Sequence, residues 1–101
     1  MSLTLYTPTE SAFHIAERVR QDRLARGWTQ AQLAARSGIP LATYRLFERT
    51  GQISLQRIIA ISNALGRGAE WDVVFAPRAA QSLDDIDRAR PQRQRGRRRT
   101  Q

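Results

Sequence analysis

The chain has 101 residues, room for one compact domain with tails, and a formal net charge of +8. All seventeen basic residues are arginine, which favours an acidic partner such as nucleic acid. There is no cysteine and only one histidine, so disulfides, thiol chemistry and Cys- or His-based metal centres are excluded. No run of apolar residues reaches the length of a membrane span, and we expect a cytoplasmic, nucleoid-associated protein with no membrane partner.

Helix start and stop signals predict four consecutive helices. Thr7 and Thr29 are each followed three residues later by a side chain that can return the hydrogen bond, Glu10 and Gln32, as in a capping box. Glycines follow each predicted end, where a left-handed cap is needed. The predicted helices cover residues 8–26, 30–37, 40–49 and 55–65. Their inward faces are predicted to hold, at helical spacing, Ala12, Phe13, Ala16, Val19, Leu33, Ala34, Tyr44, Phe47, Leu55, Ile58, Ile59 and Leu65.

The segment 69–75 fits two structures. Trp71 and Phe75 share one face in either case, joined by Val74 in a helix and by Val73 in a strand. Two acidic residues in its first turn favour a helix. We therefore expect a fifth helix here.

The chain beyond residue 76 has few apolar residues, and its last eleven residues hold five arginines and no acid. We expect residues 77–101 to form a flexible arginine-rich tail. Three aspartates within it, Asp84, Asp85 and Asp87, are expected to be solvated or ion-paired, so we assign no metal site.

The second and third predicted helices are short and are separated by a turn containing Gly38. This layout lets one helix cross a DNA backbone while the next enters the major groove. Ala34 is small where the third helix must pack across it, and Ile39, Tyr44 and Phe47 fill the space between the helices. The pattern predicts a DNA-binding protein that needs no cofactor and is not an enzyme.

The run WTQAQLAARSGIPLATYRLFERTG and the following SLQRIIAISNALG resemble the helix-turn-helix of the Cro and phage-repressor type, over Val19 to Leu65. The resemblance implies an all-α, compact five-helix domain, which we place at residues 7–76. We expect this domain to end in a C-terminal dimerisation segment, followed by the disordered basic tail that the composition predicts. It implies that Gln30 anchors a DNA phosphate at the start of the second helix. It also implies a structural ion pair between Arg23 and Glu48.

The base-reading positions that the resemblance implies lie on the exposed face of the third helix, at Leu41, Ala42, Thr43, Arg45 and Leu46. Arg45 can donate two hydrogen bonds to guanine, and Ala42 and the Thr43 methyl group can touch thymine methyls. Arg49 and Arg57 are expected to meet phosphates.

One recognition helix reads only a few base pairs, so we expect a homodimer on a palindromic double-stranded DNA operator. The expected dimer seam is the apolar cluster Trp71, Val73, Val74 and Phe75. The alternative is that Trp71 and Phe75 fold back to complete the core of the monomer.

Residues 47–75 also resemble HipB-type antitoxins, small repressors that hold a HipA-type kinase toxin inactive and repress the operon they share with it. This resemblance implies a repressor with a HipA-type toxin as partner. A stand-alone autoregulated repressor is the first alternative. A protein-bridging adaptor that uses the same helical domain is an alternative of a different class.

Overall fold

A computed structural model of the chain describes residues 5–78. The structure has α1 at Pro8–Ala25, α2 at Gln30–Ser37, α3 at Leu41–Thr50, α4 at Leu55–Ala64 and a short 3₁₀ helix at Gly68–Val73. The all-α, five-helix fold is confirmed, and within residues 5–78 there is no strand. The predicted tail beyond residue 78 and its three aspartates lie outside the described residues.

The chain divides into two compact units, the first ending at Trp71 and the second beginning at Asp72. The first unit holds α1 to α4. Within it, α3 packs against α1, and α2 packs against both α3 and α4. The division into a domain over residues 7–76 and a tail over 77–101 stays a prediction.

Two capping boxes start the first two helices where the sequence spacing predicts them. The Thr7 hydroxyl accepts the Glu10 amide at 3.1 Å, and the Glu10 carboxylate accepts the Thr7 amide at 2.9 Å. Thr29 and Gln32 repeat the arrangement at 3.0 and 2.8 Å. Each box satisfies two backbone groups that a helix terminus would leave unpaired, so the starts of α1 and α2 are fixed locally.

The third helix is displaced by one residue from its predicted bounds. Pro40 is not in the first turn but is the N-cap, with an extended backbone at φ −62° and ψ 143°. The helix therefore begins at Leu41, and it continues through Thr50 rather than ending at Arg49. Gly51, at φ 84°, ends it in the left-handed conformation that favours glycine.

The core draws on all four helices. Its buried members are Ala16, Leu33, Ala34, Tyr44, Phe47, Ile58, Ile61 and Leu65. Ile61 is fully buried although it was not among the predicted inward residues. It lies three positions after Ile58, so the buried stripe of α4 runs through both residues.

Two of the predicted core positions are wrong. Phe13 is 44% exposed and Leu55 is 64% exposed. The buried stripe of α1 passes through Ala16 and Arg23, and at about 100° per residue Phe13 lies well to one side of it. Leu55 lies in the first turn of α4, one turn before the buried Ile58.

The end of α3 lies directly against the backbone of α1. A Cβ atom added to the buried Gly51 would lie 2.6 Å from the carbonyl carbon of Ala12 and 2.8 Å from the backbone nitrogen of Phe13. Only a residue without a side chain permits this approach. Gly51 therefore sets how closely α3 packs on α1.

The ambiguous segment forms the 3₁₀ helix, with Trp71 in its last turn. The Trp71 ring packs against the core of the first unit, and its indole N–H donates to the Ser62 hydroxyl at 3.0 Å. The segment is therefore helical in part, but the 3₁₀ helix ends at Val73, so Val74 and Phe75 of the predicted helical face lie beyond it.

Candidate nucleic-acid interface

The turn between α2 and α3 is closed by backbone hydrogen bonds. Gly38 adopts φ 71°, and the amide of Ile39 donates to the carbonyl of Ala34 at 3.0 Å. Ala34 is 2% exposed, so α3 crosses α2 at a position where a larger side chain has no room. This geometry sets the angle at which α3 leaves α2.

One face of α3 is turned away from the core. Tyr44, Phe47 and Glu48 are buried, whereas the side chains that project opposite to them are exposed. The exposed set follows the helical spacing i, i+3, i+4, i+7 and comprises Ala42, Arg45, Leu46 and Arg49. We call these four residues the outer face of α3. It combines two cations with two apolar side chains.

Two other predicted base-reading residues lie at the flanks of the outer face. Leu41 and Thr43 are both half-buried, and Leu41 packs in part against the core. Arg57 lies exposed near the start of α4, where its backbone amide donates to the Ser54 hydroxyl at 3.2 Å.

The carboxylate of Glu48 lies at the centre of a buried polar network. Its Oε2 accepts Arg23 Nε at 2.7 Å and its Oε1 accepts Arg23 Nη2 at 3.2 Å, a two-point ion pair. The hydroxyl of Tyr44 donates to Oε2, and the side-chain amide of Gln30 donates to Oε1 at 2.9 Å. Arg23 also donates to the carbonyl of Trp28 at 2.8 Å. One carboxylate thus ties α1, the α1–α2 turn, the start of α2 and α3 together.

Ionisation in this network follows from these contacts. Burial alone would raise the pKa of Glu48, but the hydrogen bonds from Arg23, Tyr44 and Gln30 outweigh it and lower that pKa below its usual value. Burial and the adjacent carboxylate both raise the pKa of Tyr44. The hydrogen bond to Glu48 raises the pKa of Arg23. The network therefore holds one carboxylate and one guanidinium in their charged forms, with a neutral phenol beside them.

Gln30 occupies the first position of α2, where a phosphate anchor was expected. A carboxylate only accepts hydrogen bonds, so the amide nitrogen of Gln30, and not its oxygen, must face Glu48. One of the two amide N–H groups is used by this contact. The second remains for another acceptor.

The contacts of Gln30 and Tyr44 with Glu48 were not predicted from the sequence. The only available signal was the i, i+4 spacing of Tyr44 and Glu48 on one helix. The contact of Gln30 joins residues eighteen positions apart. Sequence periodicity carries no information about such a pair.

The four residues of the expected dimer seam are in different environments. Trp71 is half-buried and bound to Ser62 in the first unit. Val73, Val74 and Phe75 belong to the second unit and are exposed, Phe75 completely. Of the two residues named in the alternative, Trp71 packs on the core of the first unit, and Phe75, in the second unit, is fully exposed.

The described residues hold no candidate metal site and no helix that could span a membrane. Within residues 5–78, His, Asp and Glu side chains form no group of three that could hold a metal ion. His14 instead stacks on Tyr6, with ring centroids 4.2 Å apart. No helix in this part of the chain is both long and apolar enough to cross a membrane.

The comparison with known families agrees with this geometry. The family model described as helix-turn-helix matches residues 19–71, more than half of the chain, and this range holds the turn, the outer face of α3 and the Glu48 network. No curated protein and no solved structure matches the chain significantly. The chain therefore belongs to the helix-turn-helix family, of the Cro and phage-repressor type, whose members are DNA-binding transcription regulators.

Proposed function

We propose that the protein is a sequence-specific transcriptional repressor that places α3 in the major groove of a palindromic operator and binds it as a dimer. The observation that carries the proposal is the outer face of α3, which lies beside the fixed amide of Gln30. A helix that presents arginine and small apolar side chains together can contact both guanine edges and thymine methyls.

Arg45 is the principal base-reading residue in this proposal. It is exposed and forms no ion pair with any of residues 5–78, so its guanidinium is available to donate two hydrogen bonds to guanine O6 and N7. Ala42 and Leu46 flank it and suit thymine methyls. Leu41 and Thr43 are half-buried, and we assign them contacts only through their exposed edges.

Phosphate contacts fix the position of α3 on the duplex. Glu48 holds the Gln30 amide so that the second N–H group can donate to a phosphate oxygen, supported by the partial positive charge at the start of α2. Arg49 and Arg57 are both exposed and add charge on either side of the recognition helix. These contacts supply affinity without base discrimination.

Dimerisation is needed because a single α3 reads too few base pairs for an operator. We assign the seam to Val73, Val74 and Phe75, three consecutive exposed apolar side chains. Trp71 is committed in part to its own core, so it contributes to the seam only through its exposed edge.

The finer biological role that we infer is that of an antitoxin, on the resemblance of residues 47–75 to HipB-type proteins. The expected partner is a HipA-type kinase toxin encoded beside this gene and held inactive by the complex. Co-expression and co-purification with the product of the adjacent gene tests this role. A neighbour unrelated to kinases, or one that does not co-purify, leaves a stand-alone autoregulated repressor.

The experiment that tests sequence-specific binding is selection of bound fragments from a random DNA library at about 150 mM salt, where exposed charges are strongly screened. We expect an enriched palindrome with half-sites roughly 10 bp apart. Arg45→Ala should relax the preference at one base pair of each half-site, at a cost of about 1–3 kcal/mol. Arg18→Ala, which removes an exposed arginine of α1, is the matched control and should leave the selected sequence unchanged. An equal loss of affinity on every sequence from Arg45→Ala would contradict its assignment.

A further inference from the structure

An open groove of about 400 Å³ runs between α1 and α3. Its lining includes three residues to which the proposed function assigns DNA contacts, Gln30, Arg45 and Arg49. The first helix supplies the facing wall with Phe13, Glu17 and Arg20. The proposed function gives α1 no contact with DNA, although side chains of α1 share this groove with α3.

The groove is cationic in spite of two acidic residues in its lining. Arg20, Arg45 and Arg49 carry three positive charges into it. The carboxylate of Glu48 offers no free oxygen, because two donors already bind each of its oxygens and Arg23 balances its charge. Glu17 is therefore the one lining acid whose charge faces the solvent. Such a surface fits a phosphate group of the DNA backbone.

Arg20 is held only loosely in the free protein. Its Nη1 atom lies 3.4 Å from Oε2 of Glu17, one helical turn away, and both side chains are nearly half exposed. The same carboxylate oxygen accepts the side-chain amide of Gln21 at 3.2 Å. An exposed pair of this length is weak, and it engages one of the five N–H donors of the guanidinium. A phosphate in the groove can take over these donors.

We propose that Arg20 binds a backbone phosphate beside the recognition helix and that Glu17 opposes this contact, by holding Arg20 in the free protein and by repelling the phosphate. This inference rests on the proposed function, since it requires α3 to lie on DNA. It extends the interface from α2 and α3 to α1. It also means that Arg20 raises the affinity for DNA and that Glu17 lowers it.

The test compares Arg20→Gln, Glu17→Gln and Arg18→Gln in the full chain. Arg18 is exposed on α1, but it lies about 160° around the helix from Arg20 and does not line the groove, so it controls for the loss of one charge. Affinity is measured for the selected operator and for a scrambled duplex across a range of salt concentrations. All three replaced side chains are at least partly exposed, and thermal melts should stay within a few degrees of the wild type.

Arg20→Gln should reduce the slope of log affinity against log salt by about 0.9 per subunit, the contribution of one neutralised phosphate, and so by about 1.8 for the proposed dimer. Over the tenfold range between 1 M and 0.1 M salt, that slope corresponds to a loss of about eightfold per subunit, or about 60-fold for the dimer, at 0.1 M, on both duplexes alike. Glu17→Gln should raise the affinity about two- to fivefold per subunit at the same salt, since it frees Arg20 and removes a repulsive charge. Arg18→Gln should change the affinity by less than about twofold.

Two results would overturn the inference while leaving the proposed function in place. The first is an Arg20→Gln variant that matches Arg18→Gln in affinity and salt slope. The second is a Glu17→Gln variant that binds DNA more weakly than the wild type. A wild-type chain that binds neither duplex would refute the proposed function itself, and the phosphate contact of Arg20 with it.

Discussion

Replacing Gly51 with alanine tests how the recognition helix is seated. Two effects act at this position. The residue has φ 84°, where a side chain is strained, and the added Cβ would meet the backbone of Ala12 and Phe13 at 2.6 to 2.8 Å. Backbone atoms of a helix cannot rotate away as a side chain can, so α3 must move relative to α1.

The magnitude follows from these two effects. A left-handed conformation costs a residue with a Cβ roughly 1–2 kcal/mol. Forcing an extra methyl group into a closely packed contact costs about 1–3 kcal/mol more. The expected loss is therefore about 2–5 kcal/mol, a large part of the roughly 5–15 kcal/mol that stabilises a small domain.

Gly66→Ala is the matched control, because Gly66 also has a left-handed backbone, at φ 72°, but a Cβ there meets nothing within 4 Å. It should lose only the conformational part, about 1–2 kcal/mol. Urea unfolding gives the free energy of unfolding of both variants. The difference between the two values isolates the cost of the contact between α3 and α1. Equal destabilisation of the two variants would refute the close approach of these helices.

Three further predictions concern the ion-pair network, the dimer seam and the tail. The pKa of Glu48 is lowered in the folded chain, so its stabilising contribution is present above about pH 4.5 and is lost as the pH falls through the folded-state pKa. Glu48→Gln should therefore lower the free energy of unfolding by about 3–5 kcal/mol at neutral pH and make it depend less on acid pH, as measured by urea unfolding. An unchanged acid dependence would contradict this prediction. Phe75→Ser should shift sedimentation from dimer towards monomer without lowering the melting temperature of the monomer, and an unaltered dimer would remove Phe75 from the seam. Deleting residues 93–101, which hold five arginines, should weaken binding to all sequences alike and reduce the salt slope, whereas a sequence-dependent loss would show that the tail reads bases.

The starts of α1 and α2 were predictable because the residues that set them are close in sequence. Thr7 reaches Glu10, and Thr29 reaches Gln32, within a single turn. Burial was less predictable, since it depends on which neighbour covers a position. Phe13 has the right spacing for a core residue, but the buried stripe of α1 passes beside it.

The candidate site also has parts that were predicted from the sequence and parts that depend on how the helices pack. The family resemblance implied both the pairing of Arg23 with Glu48 and five base-reading positions on α3. Of these five, Ala42, Arg45 and Leu46 lie on the outer face, whereas Leu41 and Thr43 are half-buried at its flanks. The contact of Gln30 with Glu48 depends on how α2 crosses α3, which no local pattern encodes. The position of Arg20 beside the recognition helix likewise follows from the packing of α1 on α3.

The ratio of affinities for the selected palindrome and for a scrambled duplex of equal length, measured at about 150 mM salt, tests the account most directly. Exposed charge attracts both duplexes equally, so the ratio reports the recognition of sequence. We predict a ratio of at least about 10³ for the full chain, typical of specific regulators, and a drop of about 5- to 150-fold for each half-site with Arg45→Ala, which corresponds to about 1–3 kcal/mol per lost contact. A ratio near one would contradict sequence-specific binding by α3.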